Sequence, residues 1–173
     1  MFCSTALFGQ GSAEKEKNQL WADSLLEIMR GSQSMGASLK LELADSIYSI
    51  YKTKGDRCKM LEARMVSAVA INDLGQPDSA LSSLIQAESM FTSTCDSMLL
   101  PRIALNYSYI YLSLDEFSRL DSICEKSLRE WNDKWSDKDL LMGILNNLSI
   151  SKAYQGQFKE ADRAFRELLK NAR

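Results

Sequence analysis

The sequence contains no histidine, and this absence excludes several kinds of active site. Ser-His-Asp and Cys-His catalytic systems need an imidazole as the base, and histidine metal centres need it as a ligand. The four cysteines form no Cys-x-x-Cys pair, which favours small buried hydrophobic residues over a zinc or redox site. They are Cys3, Cys58, Cys95 and Cys124. We therefore expect no catalytic residue, no metal and no cofactor, and the chain is predicted not to be an enzyme.

Clusters of like charge and long apolar runs are also missing. Lys and Arg number 21 against 23 for Asp and Glu, and the two signs are interspersed. Nucleic-acid binding depends on a clustered basic surface, so we expect no nucleic acid as a partner. No segment approaches the roughly 18 consecutive apolar residues of a membrane span, so none is expected.

Proline and glycine are scarce, with 2 and 8 occurrences in 173 residues. Helix-forming residues such as Leu, Ala, Glu and Lys are abundant in their place. A hydrophobic fraction of 45% is enough for one compact domain or one short superhelix with a real core. The composition therefore predicts an all-α fold.

The sequence opens with "MFCSTALFGQGSAEKEK", which is apolar through Phe8 and then small and polar. This order resembles the end of a secretory signal peptide, although the basic segment that normally comes first is missing. Residues 1–12 are therefore predicted to be signal-peptide-like or disordered. Export is the favoured interpretation, and a hydrophobic terminus on a cytoplasmic protein is the alternative.

The rest of the sequence repeats with a period of about 40 residues. Three segments align without gaps around the turn residues Gly75, Asp115 and Gly156. The segments are "VAINDLGQPDSALSSLIQAESM", "YIYLSLDEFSRLDSICEKSLRE" and "ISKAYQGQFKEADRAFRELLKN". After each turn, two small or apolar residues lie four apart and therefore on one helix face. These pairs are Ala80 and Leu84, Leu120 and Cys124, and Ala161 and Phe165. Each unit is predicted to be two amphipathic helices that stack on neighbouring units.

Two more amphipathic segments precede these units, so we predict about eight helices. A degenerate unit at 13–55 is followed by units at 56–95, 96–135 and 136–173.

Local signals place several helix ends within these units. Gly55 is predicted to end a helix in the left-handed conformation. Pro101 must lie near a helix start, which we place at Asp96 or Ser97. Ser136 and Asp139 have the spacing of a capping box.

These repeats resemble the tetratricopeptide repeat (TPR) family, whose pattern combines a Gly turn with Ala-x-x-x-Phe in the second helix. The matching residues are Ala68, Gly75, Ala80 and Ala87, then Tyr111, Phe117 and Leu128, then Leu148, Gly156, Phe158, Ala161, Phe165 and Leu169. The sequence departs from the family pattern in its period, which exceeds the usual 34, and in the absence of the closing proline. Longer helices of this sort occur in TPR arrays of bacterial sensor and regulator proteins, and the resemblance points to these. The resemblance implies a right-handed superhelix of antiparallel helix pairs. A HEAT-like pairing is the structural alternative.

The resemblance also implies that the first helix of each pair lines a concave groove that binds a protein or peptide. Transferred by alignment, the candidate groove residues are Glu62, Met65, Val69, Asp73, Arg102, Asn106, Tyr109, Asn146, Asn147, Ile150 and Tyr154. An Asn amide can both donate to and accept from a peptide backbone, which favours a binding role. The alternative is that these Asn side chains are solvated or bonded locally.

The chain is therefore predicted to be a non-catalytic scaffold that binds a protein or peptide. The resemblance implies that it is the sensing or interaction part of a larger bacterial regulatory system. Export would then place it in the periplasm. The alternative is a self-associating structural module without a groove ligand, dimerising through its terminal repeats, because the last helix carries apolar residues that need cover. An enzyme that uses Asp, Glu or Tyr is the least favoured reading, since a repeat groove is broad and open.

Overall fold

A computed structural model describes residues 6–31, 35–131 and 137–171, and the regular elements within these ranges are all helices. The predicted all-α fold and the eight helices are confirmed. The helices are α1 (Ala6–Gly31), α2 (Ala37–Lys54), α3 (Arg57–Asp73), α4 (Pro77–Glu88), α5 (Leu99–Ser113), α6 (Phe117–Trp131), α7 (Lys138–Tyr154) and α8 (Phe158–Asn171). None of these described helices is both long and apolar enough to cross a membrane.

Tight turns join the two helices of a pair, and they share one hydrogen-bond pattern. Gly75, Asp115 and Gly156 have φ values of 77°, 56° and 74°, in the left-handed region. In each turn, the amide of the following residue donates to a carbonyl five residues earlier, as from Gln76 to Ile71. This is the Schellman arrangement that satisfies the carbonyls at a helix end. Gly55 ends α2 in the same way at φ 72°, as predicted.

The core runs along the stack as three successive apolar clusters. The first joins α1, α2 and α3 around Leu26, Ile47 and Tyr51. The second joins α3, α4 and α5, and the third joins α5, α6, α7 and α8. Helices contact their neighbours in sequence, and the first helices of successive pairs also contact one another, as α3 does α5 and α5 does α7. Each core cluster is therefore built from one helix pair together with helices of the neighbouring pair.

The residues four apart on the second helix of each unit were predicted to lie on one packed face. This prediction is confirmed for two units and is wrong for the last. Ala80, Leu84, Leu120 and Cys124 are fully buried. Phe165, at the corresponding position of α8, is 48% exposed, and Ala161 is only partly buried. The reason is that no described helix covers that side of α8.

Three predicted boundaries require correction. The first helix begins at Ala6, before the predicted start of the degenerate unit at residue 13, while residues 1–5 lie outside the described part. Helix α5 begins at Leu99, later than Asp96 or Ser97, because residues 93–98 form turns. Pro101 still falls in the first turn, where its missing amide hydrogen has no partner to lose.

The helix start near residue 136 also differs in detail. The N-cap of α7 is Asp137, whose carboxylate accepts a hydrogen bond of 3.1 Å from the Leu140 amide. This bond satisfies one of the free amides at the helix start, which was the role predicted for Ser136. Ser136 itself lies outside the described residues.

The cysteine prediction is wrong for one pair. Cys58 and Cys95 form a disulfide with a Cα–Cα distance of 5.4 Å, and it links the start of α3 to the loop before α5. Cys124 is a free, fully buried thiol, as predicted, and burial raises its pKa to about 12. Cys3 lies outside the described residues.

Candidate functional site

An open groove of about 620 Å³ runs across the first helices of the successive pairs. Helices α1, α3, α5 and the start of α7 supply most of its walls, and α2 adds one lysine. Its lining residues are Glu27, Met29, Lys40, Glu62, Met65, Val66, Val69, Leu99, Arg102, Leu105, Asn106, Asp137, Asp139 and Leu140.

The middle of the groove is apolar because of the register of α3. Met65, Val66 and Val69 follow Glu62 at intervals that place all four on one helix face. Met65 is nearly buried at 7% exposure, whereas the two valines are partly exposed. Leu105 of α5 extends the same surface. The surface is thus able to take apolar side chains from an incoming segment.

The ionic groups lie at the edges of this apolar strip. The Arg102 guanidinium is 3.4 Å from the Asp137 carboxylate, and the two side chains are each about one third exposed. On the other wall, the Lys59 ammonium is 3.3 Å from Glu62 and 3.4 Å from Asp23. These pairs hold the charged side chains back from the middle of the groove.

Carboxylates outnumber cations among the lining residues. Glu27, Glu62, Asp137 and Asp139 stand against Lys40 and Arg102. The Arg102 charge is offset by Asp137, and Glu62 is paired with Lys59. Glu27 and Asp139 then remain against Lys40, so the balance is still negative. A cationic ligand group is therefore favoured over an anionic one.

Five of the predicted groove residues meet in this groove: Glu62, Met65, Val69, Arg102 and Asn106. Asp73 and Tyr109 lie further along α3 and α5 and bind each other, with 2.7 Å from the Tyr109 hydroxyl to the Asp73 carboxylate. This hydrogen bond, aided by burial, raises the pKa of Tyr109. The pair ties the two helices together, and neither residue lines the groove.

The four predicted residues of α7 also lie elsewhere. Asn147 is buried, and its amide donates a 2.8 Å hydrogen bond to the Ser108 hydroxyl of α5. Asn146 is exposed, Ile150 is partly buried, and Tyr154 stacks on Phe117 with 5.5 Å between ring centroids. The structure therefore supports the local-bonding alternative for Asn147.

The sequence alignment missed the contribution of the first unit. Glu27 and Met29 of α1 and Lys40 of α2 line the groove, but this unit is too diverged for residue-by-residue transfer. Asp137 and Leu140 were missed because they precede the aligned positions of α7. The N-cap role of Asp137 was the available signal that a carboxylate stands at that end of the groove.

Two buried tyrosines outside the groove have perturbed hydroxyls. Burial, followed by the hydrogen bond to Asp23, raises the pKa of Tyr51 well above its usual value. The pKa of Tyr107 is raised in the same way, by burial and by the 2.7 Å hydrogen bond that its hydroxyl donates to Glu88. Both hydroxyls are used to join helices of the core. Among the described side chains, no group of three or more His, Cys, Asp or Glu residues is placed to hold a metal ion.

Comparison with models of known families, with curated proteins and with solved structures finds no match to this chain. The tetratricopeptide resemblance thus rests on the sequence pattern quoted above.

Proposed function

We propose that this chain is a non-catalytic scaffold that binds a segment of another protein in the groove between α1, α3, α5 and α7. The observation that carries the proposal is the apolar strip of Met65, Val66, Val69 and Leu105, open to solvent and bordered by ionic groups. Such a surface can bury apolar side chains of a peptide while the borders fix its register. An open groove favours binding over catalysis, which usually needs a more enclosed pocket.

The preferred segment combines apolar side chains with at least one Lys or Arg. Apolar side chains fit the strip, and the excess of carboxylates at its edges favours a cation. The Asn106 amide lies beside the strip and can bond to a peptide backbone. An acidic segment would meet Glu27 and Asp139 and would be disfavoured.

Export to an oxidising compartment is part of the proposal. Disulfides persist in secreted and periplasmic proteins and are rare in the reducing cytosol. The Cys58–Cys95 bond supports the same location as the signal-like start of the sequence. Together with the resemblance to arrays of bacterial regulators, this favours a sensing or interaction role outside the cytosol.

The test is selection of a displayed random-peptide library on the folded chain. We expect the enriched peptides to combine apolar and basic residues and to bind the wild type. Val69→Arg should abolish this binding, because it places a cation and a long side chain in the apolar strip. Ile85→Arg is the matched control, since Ile85 is 55% exposed on α4 and outside the groove.

Methionine methyl resonances locate the bound peptide independently. Met29 and Met65 line the groove, whereas Met90 packs against the second core cluster. Peptide titration should shift the first two signals and leave that of Met90 in place. Failure to enrich any peptide, or enriched peptides that bind Val69→Arg as well as the wild type, would overturn the proposal.

A further inference from the structure

Helix α8 carries an apolar stripe that faces solvent. Phe158, Phe165 and Leu169 are 71%, 48% and 51% exposed. Their spacings of seven and four residues place them on one side of the helix. Ala164 lies about a third of a turn around α8 from this stripe. It is buried in the third core cluster with Ile144 and Leu148 of α7. The stripe is thus separate from the contact between α7 and α8.

The equivalent stripe of α6 is covered. With the turn residues Asp115 and Gly156 aligned, Phe117 corresponds to Phe158 and Cys124 corresponds to Phe165. Cys124 is fully buried in the cluster that contains Ile144 and Leu148 of α7. Phe117 stacks on Tyr154, which is the last residue of α7. The first helix of the following pair therefore supplies the cover.

A carboxylate between these two positions completes the correspondence between α6 and α8. Asp121 of α6 accepts hydrogen bonds from α7 and its C-cap: 2.7 Å from the Ser151 hydroxyl, 2.8 Å from the Lys152 ammonium and 2.8 Å from the Gln155 amide. Its equivalent in α8 is Asp162, which is bound by Arg166 of its own helix at 2.7 Å. Helix α8 thus repeats both the apolar and the polar parts of the surface on which α7 docks.

Helix α1 has an exposed face suited to that surface. Like α7, it is the first helix of its pair. Trp21 and Ile28 are 45% and 54% exposed, and both lie well around the helix from Asp23, whose carboxylate is 3.4 Å from the Lys59 ammonium of α3. The exposed face is therefore turned away from the next pair.

The spacings on the two helices match in the antiparallel direction. On α8, Phe158, Asp162 and Phe165 are separated by four and then three residues. On α1, read backwards, Ile28, Ser24 and Trp21 show the same separations. Phe158 against Ile28 then sets Phe165 against Trp21, and Asp162 against a serine hydroxyl, as Asp121 faces Ser151. The Ser24 hydroxyl now donates to the Leu20 carbonyl and would turn to the carboxylate.

We propose that α8 of one copy docks on α1 of a second copy, head to tail, in the manner in which α7 docks on α6. The two surfaces differ, so the contact is heterologous and each copy retains one unused surface. Association can therefore continue beyond the dimer as concentration rises.

The test is sedimentation velocity over a concentration series of the full chain and two variants. Phe165→Glu disables the α8 surface, and Trp21→Glu disables the α1 surface. Each variant alone should associate at least about tenfold more weakly than the wild type, as for a central interface aromatic. An equimolar mixture should form a dimer that grows no further, because the mixture contains one intact surface of each kind on different chains.

Two controls protect this result. Ile85→Glu alters a side chain that is equally exposed but belongs to neither surface, and it should associate like the wild type. Leu169→Glu, at 51% exposure, is a second α8 variant in case Phe165→Glu unfolds, and circular dichroism reports the helix content of each variant.

Other outcomes would overturn the proposal. Loss of association in Phe165→Glu with full association in Trp21→Glu would indicate a symmetric pairing of α8 with α8. A wild type that stays monomeric at every concentration would exclude a second copy as the occupant. Association that survives both variants would place the contact on another surface.

Discussion

Helices α6 and α8 occupy equivalent places in successive units, yet one is covered and the other is not. Cys124 of α6 is fully buried, whereas Phe165 of α8 is 48% exposed although it is the larger and more hydrophobic side chain. The difference lies in the neighbour, because α7 covers Cys124 of α6 while no described helix covers the Phe165 side of α8. Burial in a repeat array is therefore set by the next pair as much as by the residue itself.

The polar residues of the two helices show the same contrast. The Asp121 and Lys152 side chains are 13% and 15% exposed, at a distance of 2.8 Å. The corresponding pair of α8, Asp162 with Arg166, is 60% and 73% exposed. A carboxylate paired with a cation thus joins two helices where it is buried. The same kind of pair lies within one helix, in contact with solvent, where no neighbour covers it.

Removal of the disulfide should give the largest effect, and it tests how firmly the covered part is held. Cys58 and Cys95 enclose a sequence separation of 37 residues. A crosslink of that span stabilises the folded state by roughly 4 kcal/mol, chiefly by restricting the unfolded chain. We expect the Cys58→Ser, Cys95→Ser double variant to lose about this amount in urea unfolding. Reductant should lower wild-type stability and leave the variant unchanged; equal wild-type curves with and without reductant would show that no disulfide is present.

Truncation of equivalent apolar residues tests the comparison directly. Leu84 is fully buried in α4, and Leu84→Ala should lower the free energy of unfolding by about 3 kcal/mol through lost burial and a cavity. Phe165→Ala removes more atoms but should cost only about 1 kcal/mol, because half of that side chain is already in water. Chemical unfolding of the monomer, at low concentration, measures both. Equal losses would mean that α8 is covered in the isolated chain.

The periodic and turn residues allowed the fold to be predicted from sequence. Apolar residues four apart mark a helix face, and Gly75 and Gly156 mark turns that need a positive φ. Both signals are local. The Cys58–Cys95 bond and the exposure of Phe165 depend instead on which segments meet in space, and no spacing within one helix specifies that.

The groove was predictable where the repeat alignment is firm. Glu62, Met65 and Val69 share one face of α3, so the register alone brings them together. Asn147 was predicted to line the groove but is buried. The alignment does not show that Ser108 of α5 lies beside it and accepts a hydrogen bond from its amide in the core. The α1 residues were missed because that unit has diverged from the others.

The two equivalent aspartates should differ in their importance for stability. Burial opposes the charge of Lys152, but hydrogen bonds to Asp121 and Glu125 outweigh it and raise the pKa of this lysine. Asp121→Asn weakens this charged network at the contact of α6 and α7 and should cost about 1 to 3 kcal/mol. Asp162→Asn should change stability by less than about 0.5 kcal/mol, as for an exposed pair. Thermal unfolding of the two variants tests whether the aspartate stabilises the fold only where the next helix binds it. Similar losses of stability in the two variants would contradict that account.

The tyrosine effect of alkaline pH should also be small, and it concerns the covered part, since α8 contains no tyrosine. The pKa of Tyr107 is raised by burial and by its bond to Glu88, so the folded state keeps the neutral phenol after the unfolded state has ionised. This contribution is complete below about pH 10 and is lost as pH rises toward the folded-state pKa. Between about pH 9 and 11, wild-type stability should therefore fall by about 1 kcal/mol more than that of Tyr107→Phe. Parallel declines of the two proteins in urea unfolding would show that the Tyr107 hydroxyl titrates alike in both states, and that the bond between α5 and α4 is open to water like the surface of α8.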